Sequence, residues 1–436
     1  FLALVYFMPL IGGWVADKWS FSKCVVTGLA VMFVGYLIMS IPTDIRSTSS
    51  LIILIFALLL ISCGTGLFKG NLQVMVGDLY NEARYSGQRD AAFSLFYMAI
   101  NIGSMFAPMA ATAMCNLALN GKGLTYVSSL PALCNNYLDG HENAAELIAT
   151  ASENGMNPGT DIAAFANDYI TTLSTGYSYA FAIACGSLIV SFLIYFLGRS
   201  TYAHILTDKK QAVSAKTVTN SGPELTPAQT KQRVVALLLV FAVVIFFWMV
   251  FHQNGATLTE FAKSCTSPQA MGWTRIGFNV WALSSIAIGV YALFNLFQSK
   301  GTLSRVISIV IIALVAVALN YFYSHTDNPL TGIQPQEYQQ FNPFYVVALT
   351  PFSLAIFGWL AKRGKEPSAP RKIGYGMIMA AVAYGLMLIG SLSIVGTTAT
   401  VSPNWLISTY LLLTFAELLL SPMGISFVSK VAPPKL

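Results

Sequence analysis

Residues 51–80 read LIILIFALLLISCGTGLFKGNLQVMVGDLY, an apolar run with a lysine, Lys69, well inside it. Residues 405–428 read WLISTYLLLTFAELLLSPMGISFV, a second apolar run that encloses a glutamate, Glu417. As a helix, a run of this length spans the roughly 30 Å hydrocarbon core of a bilayer. Each charge inside such a helix costs roughly 2.5–3.5 kcal/mol on insertion scales, so it marks a functional position by default. Charges of opposite sign, one in each half of the chain, point to a water-accessible central cavity that binds a charged solute.

The rest of the chain has the same character. It is 55% hydrophobic and only 10% charged, against roughly 25% charged for a soluble domain. Eleven apolar stretches recur: Phe1–Val15, Val25–Ile41, Leu51–Val76, Ala91–Met114, Tyr177–Leu197, Val234–Phe251, Ile276–Phe297, Leu303–Tyr323, Pro343–Leu360, Ile373–Val395 and Trp405–Val428. They are apolar nearly all round, as membrane spans are and amphipathic surface helices are not. The expectation is an all-α, multi-pass protein of the cell membrane.

A net charge of +6 would suit a nucleic-acid partner, but its placement argues against one. Lysine and arginine cluster in alternate loops: Lys18 and Lys23; Arg84 and Arg89; Lys209 to Arg233; Lys300 and Arg305; Lys362 to Lys372; Lys430 and Lys435. The long loop Cys115–Gly176 instead carries Asp139, Glu142, Glu146, Glu153, Asp161 and Asp168 against Lys122 alone. By the positive-inside rule the basic loops are cytoplasmic and the acidic loop is external. Of the six cysteines, Cys24, Cys63 and Cys185 fall in or beside spans as small hydrophobes. An oxidising compartment allows a Cys115–Cys134 bridge, and no cysteine spacing resembles a metal site.

The segment 199–233, rich in Lys, Thr, Ser and Pro, reads as a cytoplasmic linker between an N-terminal bundle, 1–198, and a C-terminal bundle, 234–436. Tight basic turns recur in both halves, Asp17–Lys23 and Lys362–Lys372, as an internal repeat would give. Residue 1 is Phe, and the first apolar stretch is short, so the chain reads as a fragment lacking helices at both ends.

Particular blocks carry a resemblance. Gly12-Gly13-Trp14-Val15-Ala16-Asp17-Lys18 resembles the loop between helices 2 and 3 of the major facilitator superfamily. Phe96-Tyr97-Met98-Ala99-Ile100-Asn101-Ile102-Gly103-Ser104 is similar to the FYxxINxGS signature of the proton-dependent oligopeptide transporter family. Gly64 through Asn71, Phe247-Trp248 through Gln253, Asn342-Pro343, and Glu417 followed by Leu420-Ser421-Pro422-Met423-Gly424 match the same family in order. The resemblance implies two pseudo-symmetric six-helix halves, with helices 1, 11 and 12 absent here. It also implies that 276–323 is an extra helix hairpin between family helices 7 and 8. The helix 1 motif ExxER is not in the sequence, and His252 stands where many members carry an acid.

The resemblance further implies a site for a zwitterion. Lys69, with Gln73 one turn on, takes the substrate carboxylate, and Glu417 takes the ammonium. Thr414 and Tyr410 share the face of Glu417 at helical spacing. Asn101, which shares a face with Tyr97, and Asn342 offer amides that bind the peptide backbone without choosing side chains. Tyr6 and Trp248 complete the substrate set. Proton coupling and gating fall to Glu417, Lys69, His252 and Asp17, the last at the cytoplasmic closure. Gly12, Gly13, Gly64, Gly66 and Gly103 are expected to allow close helix packing. The hairpin, with Trp281 and Tyr291 but no membrane-centred charge, is expected to face lipid.

The function expected from this reading is proton-coupled symport of di- and tripeptides by a monomeric carrier, with no cofactor and no covalent chemistry. The alternatives are a related carrier of another small solute, such as an anion or a modified amino acid, and a peptide sensor that does not transport. A membrane-embedded enzyme has no motif in its favour.

Overall fold

The computed structural model describes residues 1–44, 47–80, 89–141, 144–202, 227–397 and 399–431. Much of the linker expected at 199–233, Arg84, Glu142 and Lys435 lie outside the described residues. The long elements among the described residues are all helices, and each of the eleven apolar stretches falls largely within helices. Ten helices among the described residues are long and apolar enough to cross a membrane. The first helix, α1 (Leu2–Lys18), is not one of these ten; its 17 residues are at the lower end of what a span requires.

One compact unit comprises Phe1–Phe96 with the described part of Ala110–Gly222. Its helices are α1, α2 (Phe21–Met39), α3 (Thr48–Leu79), most of α4 (Arg89–Asn120), α5 (Leu130–Leu138), α6 (Ala144–Glu153) and α7 (Ile162–Leu197). The Ser20 hydroxyl caps α2 by accepting from Lys23 N, and the Asp161 carboxylate caps α7 by accepting from Ala164 N at 3.0 Å. Val25, Leu29, Met32 and Met75 form a core between α2, α3 and α7.

Close approach of α1 and α3 depends on two glycines. A Cβ on Gly12 would lie 2.1 Å from the Gly66 carbonyl oxygen, and one on Gly66 would lie 2.4 Å from Met8 Cβ. Asn71 fastens the same crossing, donating to Gly12 O at 3.1 Å and to Leu67 O at 2.8 Å. Gly64 meets α2 in the same way, at Met32. Gly13 and Gly103 have open space around them, so close packing does not account for these two.

The acidic stretch 115–176 is more than a loop. The helix α4 continues to Asn120, α5 and α6 follow, and α7 begins at Ile162 rather than near Tyr177. Leu119, Leu130, Leu133, Leu147, Ala151, Ala166, Tyr169 and Leu173 form a separate core. Fully buried Tyr169 ties the intervening loop, donating to Thr125 O at 3.2 Å and accepting from Val127 N at 3.1 Å. Lys122, the one cation of this stretch, pairs with Asp168. Cys115 and Cys134 are both buried in this core as free thiols, so they are not bridged. Burial pushes the Cys134 thiol up to about 11.

The other unit comprises Tyr97–Met109 of α4 with the described part of Pro223–Leu436. Its further helices are α8 (Pro227–Phe251), α9 (Thr257–Ser264), α10 (Val280–Gln298), α11 (Thr302–His325), α12 (Phe341–Lys362), α13 (Ala369–Leu392) and α14 (Pro403–Val431). Phe247, Phe251, Leu283, Phe344, Val347, Ala383, Tyr410 and Leu413 build its core.

The hairpin, α10 with α11, divides its faces. In α11 only Ser308 is buried, and Val306, Ile309, Val310, Leu314 and Val317 are exposed apolar residues. Asn295 of α10 clips the two helices by donating to Ser304 Oγ at 2.9 Å and Ser308 Oγ at 2.8 Å. The helix α10 packs inward, contrary to a purely lipid-facing hairpin. Tyr291 donates to Val347 O of α12 at 3.1 Å and lies 3.2 Å from Met98 Sδ of α4, while Trp281 meets Phe106 edge-on at 5.4 Å.

Gly12→Ala is expected to lower the thermal unfolding midpoint in detergent by the equivalent of about 1–3 kcal/mol, the usual cost of overpacking. Gly13→Ala, with no neighbour within 4 Å, should leave the midpoint unchanged or slightly higher. Equal losses for both would show that the Gly12–Gly66 contact is not what limits the crossing.

Candidate functional site

Glu417 lies 14 residues into α14, in a helix otherwise apolar on most sides, and is only 4% exposed. Burying a carboxyl group without partners is costly, and here each oxygen has one. Tyr97 of α4 donates its hydroxyl to Oε1. Asn342, at the start of α12, donates to Oε2 at 2.9 Å. The same Asn342 nitrogen also reaches Thr414 Oγ1 at 3.0 Å. Thr414 can accept there because its own proton goes to Tyr410 O, 2.7 Å away. Three helices that are far apart in sequence therefore meet at one carboxyl group.

The donors to Glu417 are neutral. Among the described residues no lysine or arginine pairs with it. With 4% exposure and both oxygens engaged, an ammonium reaches Glu417 only if Tyr97 or Asn342 yields. Hydrogen bonds to charged groups contribute roughly 1.5–3 kcal/mol each, a barrier that a charged ligand can offset.

Tyr410, 1% exposed, directs its hydroxyl to Asn254 O at 3.1 Å. Tyr384 of α13 donates to Val250 O at 2.8 Å. These two tyrosines hold the point where α8 gives way to the 3₁₀ turn His252–Gly255. His252 opens that turn half-buried, its ring stacked on Trp248 with centroids 5.5 Å apart. Trp248 in turn packs edge-on against Phe247 and Phe251. Asn101 is 7% exposed and donates to the Tyr97 carbonyl at 2.9 Å, bracing the turn that carries the Tyr97 side chain.

Lys69, Tyr6 and Asp17 belong to the first unit, and Asn101, Trp248, His252, Asn342, Tyr410 and Glu417 to the second. Lys69 is exposed, and its ammonium lies 5.1 Å from the centroid of the Tyr6 ring, which is 53% exposed. Among the described residues no carboxylate pairs with Lys69. Gln73 is half-buried one turn on, and Asp17 is exposed at the end of α1.

Sequence reasoning grouped Thr414 and Tyr410 with Glu417 but not Tyr97, 320 residues away. It also passed over Tyr384, although a hydroxyl in the apolar run AAVAYGLML is a recognisable signal.

A polytopic bundle with an acid buried on neutral donors has the build of a membrane carrier. A model of the POT family matches residues 22–221 and 320–436, and the chain belongs to that family. Residues 222–319, between the matched stretches, hold α8, α9, α10 and most of α11. The chain is 28% identical over 438 residues to the uncharacterized transporter YclF of Bacillus subtilis (strain 168), covering 99% of this chain and 71% of that one. It is 25% identical over 457 residues to dipeptide and tripeptide permease A of Serratia proteamaculans (strain 568), covering 100% and 69%. The crystal structure of a POT family transporter in complex with 5-aminolevulinic acid superposes with a TM-score of 0.52 at 18% identity, over 99% of this chain and 74% of that one, which shows a shared fold. The protein is a multi-pass membrane transporter, not an enzyme.

Asn342→Leu removes the donor to Glu417 Oε2 and is expected to lower stability by about 1–3 kcal/mol. In a Glu417→Gln background the same change should cost less, with a coupling of about 0.5–3 kcal/mol. Thermal midpoints of the four proteins in one detergent measure this, and strictly additive losses would contradict the contact.

Proposed function

We propose that this protein carries di- and tripeptides together with protons across the cytoplasmic membrane, acting as a single chain by alternating access. The observation that carries the reading is the Glu417 carboxyl, buried on neutral donors alone. Such a group can exchange a proton for a substrate ammonium without an internal salt bridge to break. Family membership supports peptides as the substrate class, as do relatives named dipeptide and tripeptide permease and, in Lactococcus lactis subsp. cremoris, di-/tripeptide transporter.

In this proposal Lys69, beside Tyr6, takes the peptide carboxylate. Glu417 takes the ammonium when Tyr97 or Asn342 yields, and Asn101 and Asn342 serve the peptide amides. Tyr410 and Trp248 shape the site through the turn at His252. His252 is the gating group, half-buried at the turn and stacked on Trp248, and its replacement is expected to change the pH profile of uptake. A His252→Gln profile with the same midpoint and shape as wild type would remove it from this role. Asp17 acts at the cytoplasmic closure.

Purified protein in liposomes with an imposed proton gradient is expected to accumulate dialanine, and Glu417→Gln is expected to abolish accumulation while remaining folded. Undiminished accumulation by that variant would overturn the assignment of Glu417. In the same liposomes Lys69→Ala should weaken dialanine binding by a far larger factor than binding of its C-terminal amide. Equal losses for the two ligands would mean that Lys69 acts structurally.

A further inference from the structure

In the first unit the start of α2 and the end of α7 border an open cavity of about 490 Å³ that neither Lys69 nor Tyr6 lines. Trp19, Ser22 and Lys23 line it from the start of α2, and Tyr195, Arg199 and Tyr202 from the end of α7 and the turn beyond. Its wall is built rather than incidental. Ser22 Oγ and Tyr195 OH are hydrogen-bonded at 2.8 Å, and Tyr202 OH donates to Tyr195 O at 2.8 Å, with the two tyrosine rings 4.9 Å apart.

Two cations, Lys23 and Arg199, share this cavity and are both exposed. Among the described residues neither is paired with a carboxylate. Two unneutralised cations at one cavity favour an anion, and a guanidinium matches the oxygens of a phosphate in particular. The basic turn between α1 and α2 belongs to the cytoplasmic side by the positive-inside rule, where anionic headgroups attract basic segments.

The surroundings decide between a soluble phosphate and a lipid. Phe196, which also lines the cavity, is 53% exposed, and on the same helix Leu193, Ile194 and Leu197 are 56%, 66% and 82% exposed. Trp19 is 60% exposed at its rim, where an interfacial aromatic is at home. A free phosphate has no use for that apolar surface, whereas an acyl chain does.

We propose that this cavity is a binding site for the phosphate headgroup of an anionic phospholipid of the cytoplasmic leaflet, with Lys23 and Arg199 holding the phosphate and the exposed face of α7 receiving an acyl chain. This site is independent of the transported substrate.

Native mass spectrometry of the full chain in detergent, with phosphatidylglycerol and phosphatidylcholine added in equal amounts, tests it. Wild type should retain phosphatidylglycerol selectively. Lys23→Gln with Arg199→Gln should raise the Kd for phosphatidylglycerol by roughly thirtyfold, about fivefold per charge. Lys23→Arg with Arg199→Lys, which keeps both charges, should retain the lipid, and this comparison stands if the neutral pair fails to fold. Removing two cations of another cytoplasmic turn, Lys362→Gln with Arg363→Gln, should leave retention unchanged. Glycerol phosphate at the same concentration should not compete. Equal retention by the neutral and wild-type proteins, an equal loss in the Lys362 and Arg363 pair, or full competition by glycerol phosphate would each overturn the site.

Discussion

One carboxyl group, that of Glu417, sets the terms for the second unit. A charge so deep in an apolar helix bundle is tolerated only when every lone pair that loses water finds a donor. Tyr97 and Asn342 supply those donors from α4 and α12, so α14, α12 and residues 97–109 of α4 must come together around it. The inward packing of α10 follows from the same need. Tyr291 and Trp281 contact Met98 and Phe106, which lie on the same stretch of α4 as Tyr97 and Asn101. A hairpin without membrane-centred charge thereby braces the helix that reaches the acid.

The neutrality of those donors separates this cluster from a structural salt bridge. A buried acid paired with arginine or lysine is satisfied for good, and removing either partner leaves an uncompensated charge. Tyrosine and asparagine side chains satisfy the oxygens and can turn away, after which water or a ligand takes their place. The Thr414 hydroxyl gives the Asn342 amide a second acceptor, so Asn342 keeps a partner while it releases the carboxyl. The tyrosines Tyr410 and Tyr384 act one layer out, fixing the backbone where α8 breaks at His252. In the first unit the corresponding constraint is steric: α1 carries Tyr6 beside Lys69 of α3 only because Gly12 and Gly66 let the two helices touch.

Much of this was legible in the sequence. Apolar length located each of the ten candidate spans among the described residues, and the cost of charge in a bilayer singled out Lys69 and Glu417 before any fold was known. Helical spacing placed Tyr410 and Thr414 on the face of Glu417. Spacing cannot say where a side chain from another helix arrives, so Tyr97 read as an amide-site neighbour rather than as a donor to the acid. It also cannot say that Tyr410 turns its hydroxyl to a backbone carbonyl. The stretch 115–176 was read by its acidic composition. Its helical pairs, Leu130 with Leu133 and Cys134, and Ala166 with Tyr169 and Leu173, were the overlooked signal of a small core. The packing of α10 was missed because absence of charge was taken for contact with lipid, whereas Tyr291 finds its acceptor on α12.

The central claim is that Glu417 exchanges its internal donors for those of the substrate. Infrared difference spectroscopy of the protein in lipid, before and after saturating dialanine at fixed pH, reads the carboxyl and carboxylate bands directly. The account predicts a substrate-induced change in these bands that disappears in Glu417→Gln and is altered in Tyr97→Phe. Substrate binding at full occupancy with no carboxyl change, or with a change that survives in Glu417→Gln, would contradict it.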